Sequence, residues 1–192
     1  MHAIHVTEGI VLRKLSVGEA NVLTSILTSD LGLVRAQVRS ARVMPSKLRY
    51  GVEPLTHGRF SFVRGRHEWR LTGAEALSRE ALTMPAVHRA VVGRVGKLLL
   101  RLMPGTEPLP TLYQVVTEGF LALQTAVAED VQDIECVLVL RILSELGYIP
   151  DTSQAAPFIE EKGFNKELLA LAHASRPTLI RSINDALQST GL

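Results

Sequence analysis

Arg35, Arg39, Arg42, Lys47 and Arg49 fall within LGLVRAQVRSARVMPSKLRY, residues 31–50, a stretch with no carboxylate. Arg13 and Lys14 precede them and Arg64 and Arg66 follow, so these nine cations span 54 residues. Cations repeated at this density suit a polyanion made of phosphates. Each phosphate neutralised releases condensed counterion, and the gains accumulate along the polymer. Arginine is the favoured type, because its fork grips phosphate oxygens in pairs and its plane stacks on bases. Tyr50, Phe60, Phe62 and Trp69 are interleaved with the cations. Tyr50, inside the basic stretch, is the candidate for stacking on a base, whereas Phe60 and Phe62 share one strand parity and are expected in a core. A plain solvated basic face would carry the same charges.

The charge is not spread evenly. Residues 1–79 contain 12 Lys/Arg against 6 Asp/Glu, and residues 80–192 contain 9 against 13, although the net formal charge is only +2. A basic half beside an acidic one points to a polyanionic partner for the first, nucleic acid being the commonest.

A search for reaction chemistry returns little. The histidines at 2, 5, 57, 67, 88 and 173 are scattered, and none pairs at helical spacing beside a carboxylate to form a metal face. His67 reads as a surface or cross-strand residue. RGR at 64–66 and VVGRVGK at 91–97 contain glycine and cations but lack the phosphate-loop spacing. There is no nucleophile elbow, and Glu160 and Glu161 read as a solvated loop. The single cysteine, Cys136, lies in the apolar run IECVLVL and reads as a small buried hydrophobe; alone it supports neither an internal disulfide nor a cysteine zinc site. No enzymatic activity and no cofactor are expected. The opening MHAIHVTEGIVL lacks the basic-then-apolar order of a signal peptide, and VVGRVGKLLLRLM is too short and too cationic to span a bilayer. A soluble cytoplasmic protein with no membrane contact is the expectation.

The elements that must position the cations come in two kinds. From residue 3 to about 75 apolar residues recur with a period near two, broken by Gly and Pro. Strands are predicted over 3–17, 21–28, 33–43, 57–63 and 67–75, with MPSKLRYGVEP as a loop. Short sequential strands of this kind fit a small closed barrel. In the third strand Val34, Ala36 and Val38 would face the core, and Arg35, Gln37 and Arg39 would form a cationic outer row. After residue 80 the spacing becomes helical. One helix opens at Pro85 and ends before PGTEPLP, a second covers TLYQVVTEGFLALQTAV, and a third starts at Asp130 and Asp133 and ends at Gly147 and Pro150. FNKELLALAHAS and RPTLIRSINDALQ read as two shorter helices, with Pro177 in the first turn of the latter. The reading is therefore α+β: a five-stranded barrel over 1–79 and an all-α domain over 80–192.

The order of short motifs adds a resemblance. GIVL opens the first strand, GEA precedes the second, LT leads to an LG turn, and a basic third strand runs into SKLR and then VEPL; LRILSELGYIP follows near residue 150. In this order they resemble the bacterial RecO family of DNA repair and recombination proteins. The resemblance implies an OB-fold barrel packed on a helical domain and no catalysis. It implies binding of single- and double-stranded DNA, annealing of complementary strands, and action with RecR and single-strand DNA-binding protein in RecA loading after DNA damage. The family's basic face would fall on Arg35, Arg39, Arg42, Lys47 and Arg49, with Arg13, Arg64 and Arg66 contributing. Many members carry a four-cysteine zinc module after LGY.P, but DTSQAAPFIEEKGFN at 151–165 has no cysteine, so no zinc is expected. The family's pocket for the acidic, Phe-ended tail of single-strand DNA-binding protein lies in the helical domain, near Arg94, Lys97, Arg101 and Arg141. A protein-interaction adaptor working through the acidic helical half, and an RNA-binding OB barrel, remain the alternatives; phosphates alone do not separate RNA from DNA.

Overall fold

Alternation in the first half becomes five strands: β1 (Ile4–Val17), β2 (Asn21–Thr28), β3 (Gly32–Val38), β4 (His57–Arg64) and β5 (Trp69–Ser78). The structure is a computed structural model that describes residues 3–17, 21–38, 46–66, 68–103, 105, 107–149 and 155–189. The chain divides into two compact units, Met1–Pro85 with Gly96–Tyr113 and Ala86–Val95 with Gln114–Leu192.

In the first unit the strands close in the order β1-β2-β3-β5-β4, with β1 paired to both β2 and β4. All pairings are antiparallel except β3 with β5, which is parallel. A five-stranded closed barrel with this strand order is an OB fold. Closure removes sheet edges over most of the barrel and sends every second side chain inward. Val11, Ile26, Val34, Ala36, Val38, Phe60, Phe62 and Leu71 fill the interior, as alternation predicted for strands three and four. The Phe60 and Phe62 rings lie 6.3 Å apart and are fully buried, so truncating either to alanine is expected to cost about 3–5 kcal/mol. One element differs from the sequence reading. The predicted loop after β3 contains a short helix, α1 (Ser46–Gly51), which packs against β5. Leu48 rests on the barrel core and Val52 is inside it, which gives the segment a reason to fold.

The helices are α2 (Glu80–Thr83), α3 (Ala86–Leu102), α4 (Pro110–Thr125), α5 (Val131–Glu145), α6 (Ala156–Glu160) and α7 (Lys166–Ser189). α3 gives its N-terminal part to the second unit and its C-terminal part to the first. Within the second unit α5 is buried on most sides from Val131 through Leu143, as its apolar run Val137–Leu140 with Ile142 and Leu143 requires. α4 approaches it at Gly119, where a Cβ would come within 2.5 Å of Leu138 Cδ1. α5 ends in a Schellman motif. Gly147, at φ 78°, donates to the Ser144 carbonyl and Tyr148 donates to that of Leu143, each at 2.8 Å.

The two C-terminal helices predicted on either side of Arg176 are one helix, α7, with Pro177 inside it. An internal proline removes a backbone donor and crowds the carbonyl four residues back, at about 3 kcal/mol. Burial on both sides of the proline outweighs this: Leu168, Leu169 and Ala172 before it, Leu179 and Ala186 after it. A clamp at Arg176, described below, adds to it.

Candidate nucleic-acid interface

Strand register sets which cations face outward. Val11, Ile26 and Val34 are register partners across β1, β2 and β3, and all three are inside the barrel. The next registered row is Arg13, Ser25 and Arg35. Two residues of β1 therefore advance against one of β2, because Leu12 is the extra residue of a bulge between Val11 and Arg13. Without it Arg13 would share the inward parity of Val11; with it Arg13 turns outward. Bulges commonly re-aim a side chain in this way. Arg13 and Arg35 are exposed, flank the largely covered Ser25, and make no ion pair with any described residue. They stand two strands apart, roughly 10 Å, about one Debye length at physiological salt, so their fields add.

The row continues around the barrel. Parallel pairing sets Ala36 beside Trp69 and Gln37 beside Arg70, which brings the β4–β5 turn next to the strand carrying Arg35. Arg64, Arg66 and Arg70 are all exposed there. Arg70 was not among the sequence candidates. The signal for it was the alternation Trp69-Arg70-Leu71, since Leu71 is buried and its neighbour must point out.

Other candidates fall elsewhere. Lys14 has inward parity, registered with the buried Thr24, and its Nζ lies 2.6 Å from Glu53 Oε1. It is neutralised by a carboxylate and drops out of the free cationic row. Tyr50 is 47% exposed on α1, with the Arg79 guanidinium 5.8 Å from its ring centroid. Arg79 follows the last residue of β5 and Arg64 pairs with its first, so Tyr50 and Arg64 lie at opposite ends of that strand, roughly 30 Å apart along it. Arg39, Arg42 and His67 lie outside the described residues, as do the side chains of Lys47 and Arg49, whose backbone is part of α1. Arg59, also unselected, is registered with Glu8 and lies 3.7 Å from its carboxylate.

In the second unit the two candidate cations, Arg94 and Arg141, already have partners. Arg94 holds Glu135 through two hydrogen bonds of 2.7 Å, which raise its pKa. Arg141 is buried, donates to the carbonyls of Phe158 at 2.8 Å and of Glu161, and stacks 4.7 Å from the Phe164 ring centroid. Burial lowers its pKa, and its role is to pin the segment after α5. Arg176 grips the buried Asp133 with bonds of 2.8 and 2.7 Å, which raise the arginine's pKa, and His173 Nδ1 lies 3.2 Å from the same carboxylate. Asp133 thus clamps α7 instead of only facing the start of α5. His88 is buried against the Leu123 carbonyl at 2.8 Å. Burial, followed by the charges of Glu135 and Asp133, pushes the Cys136 thiol pKa up, which suits an inert core residue. The other two candidates, Lys97 and Arg101, lie on the part of α3 that belongs to the first unit and are exposed without an ion pair to a described residue. A groove of about 330 Å³ is lined by Cys136, Val139, Ile180 and Ile183 together with Gln132, Glu135 and the two guanidiniums of Arg94 and Arg176. Among the described residues no group of acidic, cysteine and histidine side chains is placed to hold a metal, and the one cysteine of the chain is inside α5, so the residues present do not fit a four-cysteine zinc site.

A closed five-stranded barrel with a cationic outer row, followed by a helical unit, defines a two-part protein of the OB-fold class. Comparison with known proteins gives the family. Residues 1–79 match the model for the recombination protein O N-terminal region and residues 90–158 the model for its C-terminal region. The chain belongs to the RecO family of DNA repair proteins. It is 31% identical over 147 residues to the DNA repair protein RecO of Heliobacterium modesticaldum, covering 76% of this chain and 52% of that one. It is 27% identical over 147 residues to the protein of the same name from Thermodesulfovibrio yellowstonii, covering 76% and 58%. For that of Dehalococcoides mccartyi the figures are 26% over 157 residues, covering 78% and 59%. The chain therefore spans between half and three fifths of the length of these relatives.

Proposed function

We propose that the chain is a non-catalytic recombination mediator that binds single- and double-stranded DNA through the outer face of its barrel. In this reading residues 1–79 form the nucleic-acid-binding domain and residues 80–192 the helical domain. The observation that carries it is the registered row Arg13, Ser25 and Arg35, two guanidiniums with no ion pair among the described residues flanking a neutral residue, with Arg66 and Arg70 beyond β3. Such a row neutralises the phosphates of one strand. That lowers its repulsion for a complementary strand while leaving bases free to pair, which is the physical requirement for annealing. Four phosphate contacts would give a log affinity that falls with log salt at a slope of about −3 for a single strand and about −4 for a duplex. A fluorescent oligonucleotide titrated at rising salt measures this. Undetectable binding at low salt, or binding indifferent to salt, removes the proposal; RNA competing equally with DNA would make the face a general one.

For partners, the reading assigns RecR and single-strand DNA-binding protein, with assistance to RecA loading. The apolar side chains of the α3–α5–α7 groove suit the Phe end of the latter's acidic tail, and Arg94, which shares the groove with Glu135, is the cation for its acidic part. Arg94 keeps 57% of its side chain exposed despite its bond to Glu135, so it can meet an incoming carboxylate. A tail peptide measured by calorimetry against the unaltered chain and against Ile183→Glu tests this, with loss of binding expected for the variant. In the described residues no helix is long and apolar enough to cross a membrane.

A further inference from the structure

The barrel end beside the β4–β5 turn carries the only tryptophan in the chain. Trp69 opens β5 between Ala36 of β3 and Arg64 of β4, and it is half-buried, packed on the barrel core. It shares the parity of Leu71, so the indole leans over the barrel mouth instead of standing on the outer wall. Two rings brace it edge to face. Phe62 lies 6.2 Å away at 73°, and His5 lies 5.3 Å away at 85°. The Arg64 guanidinium is held 5.5 Å from the indole centroid. Arg64 is exposed and pairs with no carboxylate of the described residues. Exposed around it are the cations Arg35, Arg66 and Arg70 and one carboxylate, Glu68, the residue before Trp69 in the turn.

This places a guanidinium 5.5 Å over an indole ring, with three further arginines and one carboxylate around it. We propose that Arg64 and Trp69 form a stacking platform for one unpaired nucleobase, which lies on the solvent side of the Arg64 guanidinium while the adjoining phosphates follow Arg35, Arg66 and Arg70. Guanidinium planes stack on bases, and lysine ammonium groups do not. Holding Arg64 over Trp69 before binding lowers the side-chain ordering left to do when the base arrives. The platform rests on the nucleic-acid reading of the barrel and adds strand discrimination to it. A single strand offers a free π face, whereas the bases of an intact duplex are stacked on each other and offer none. Arg64 is thereby reassigned from phosphate neutralisation to base contact.

The test compares the unaltered chain with Arg64→Lys, which preserves charge and removes the plane. Three labelled ligands of equal length are titrated: a single strand, the same strand made abasic, and a blunt duplex. The unaltered chain is expected to bind the single strand about 5- to 150-fold more tightly than the abasic strand, the range for one stacked base. Arg64→Lys should lose most of that difference while keeping its abasic and duplex affinities and its salt slope. Indole fluorescence, which reports Trp69 alone, should change with the single strand, saturate at the same midpoint, and stay unchanged with the abasic strand. Equal binding of intact and abasic strands by the unaltered chain, or full discrimination by Arg64→Lys, would overturn the platform and leave the cationic face standing. No salt-sensitive binding to any of the three ligands would remove the face itself, and the platform with it.

Discussion

Replacing Arg13 and Arg35 together by alanine separates free cations from paired ones. Both side chains are exposed, and both lie on the outer row set by the β1 bulge. Each change should therefore alter stability by less than about 0.5 kcal/mol. The effect on binding is larger. If each guanidinium neutralises one phosphate of a single strand, losing two makes the salt slope shallower by about 1.4. Relative to 1 M salt, where counterion release contributes little, that slope difference amounts to a roughly 25-fold weaker affinity at 0.1 M. The control is Lys14→Ala with Arg59→Ala, which removes the same formal charge from cations facing Glu53 at 2.6 Å and Glu8 at 3.7 Å. Their partners already screen them, so the control should change affinity by no more than about 2-fold. Fluorescence anisotropy with one oligonucleotide across a salt series, and circular dichroism to verify the fold, measures all three chains. Equal losses in the two double variants would show that net charge alone attracts DNA. An unchanged slope in Arg13→Ala/Arg35→Ala would refute the argument from strand register.

Three further outcomes follow from the helical unit. Asp133→Asn leaves Arg176, whose side chain is 24% exposed, able to rehydrate, so the cost is discounted from that of a fully buried pair to about 2 kcal/mol; thermal unfolding should shift down by about 4–8 °C, and a shift under about 1 °C would deny the clamp. Arg141→Met withdraws the donors to the Phe158 and Glu161 carbonyls, and hydrogen exchange should rise over residues 155–165 before it rises in α5. Because the folded-state pKa of Cys136 is raised, the unfolded chain ionises first, so this thiol's contribution to stability is complete below its ordinary pKa and is lost as pH climbs through the folded value; in denaturant titrations the stability difference between the unaltered chain and Cys136→Ala should be constant at lower pH and vary only on that alkaline side.

The parts legible in the sequence were those fixed by local periodicity. Val34, Ala36 and Val38 against Arg35 set the inside and outside of β3 without knowledge of any partner, and Phe60 and Phe62 did the same for β4. Arg13 faces outward through a cause that alternation does not contain: the bulge at Leu12 reverses parity in mid-strand. Pairing over long sequence distances was not legible. Lys14 meets Glu53 39 residues away, Arg94 meets Glu135 41 away, and Arg176 meets Asp133 43 away. Lys14 and Arg94 looked like free cations in the sequence, and each meets a carboxylate that only the fold brings near. The continuity of α7 was hidden for a related reason. Pro177 is a strong local stop signal, and the burial of Leu179 and the grip of Arg176 that override it are tertiary. The family resemblance supplied the order of elements, and the register then decided which cations are free to act.

The central claim is that DNA lies on the outer row of β1, β2 and β3 and passes to the β4–β5 turn. Backbone amide shift mapping by NMR, with a short single strand added to the whole chain, addresses it residue by residue. The account predicts that the largest perturbations appear at Arg13, Ser25, Arg35, Gln37, Arg64 and Arg70, with little change at Glu8, Arg59 or along α5. Perturbations concentrated on the Glu8 and Arg59 wall, or on the helices, would contradict it.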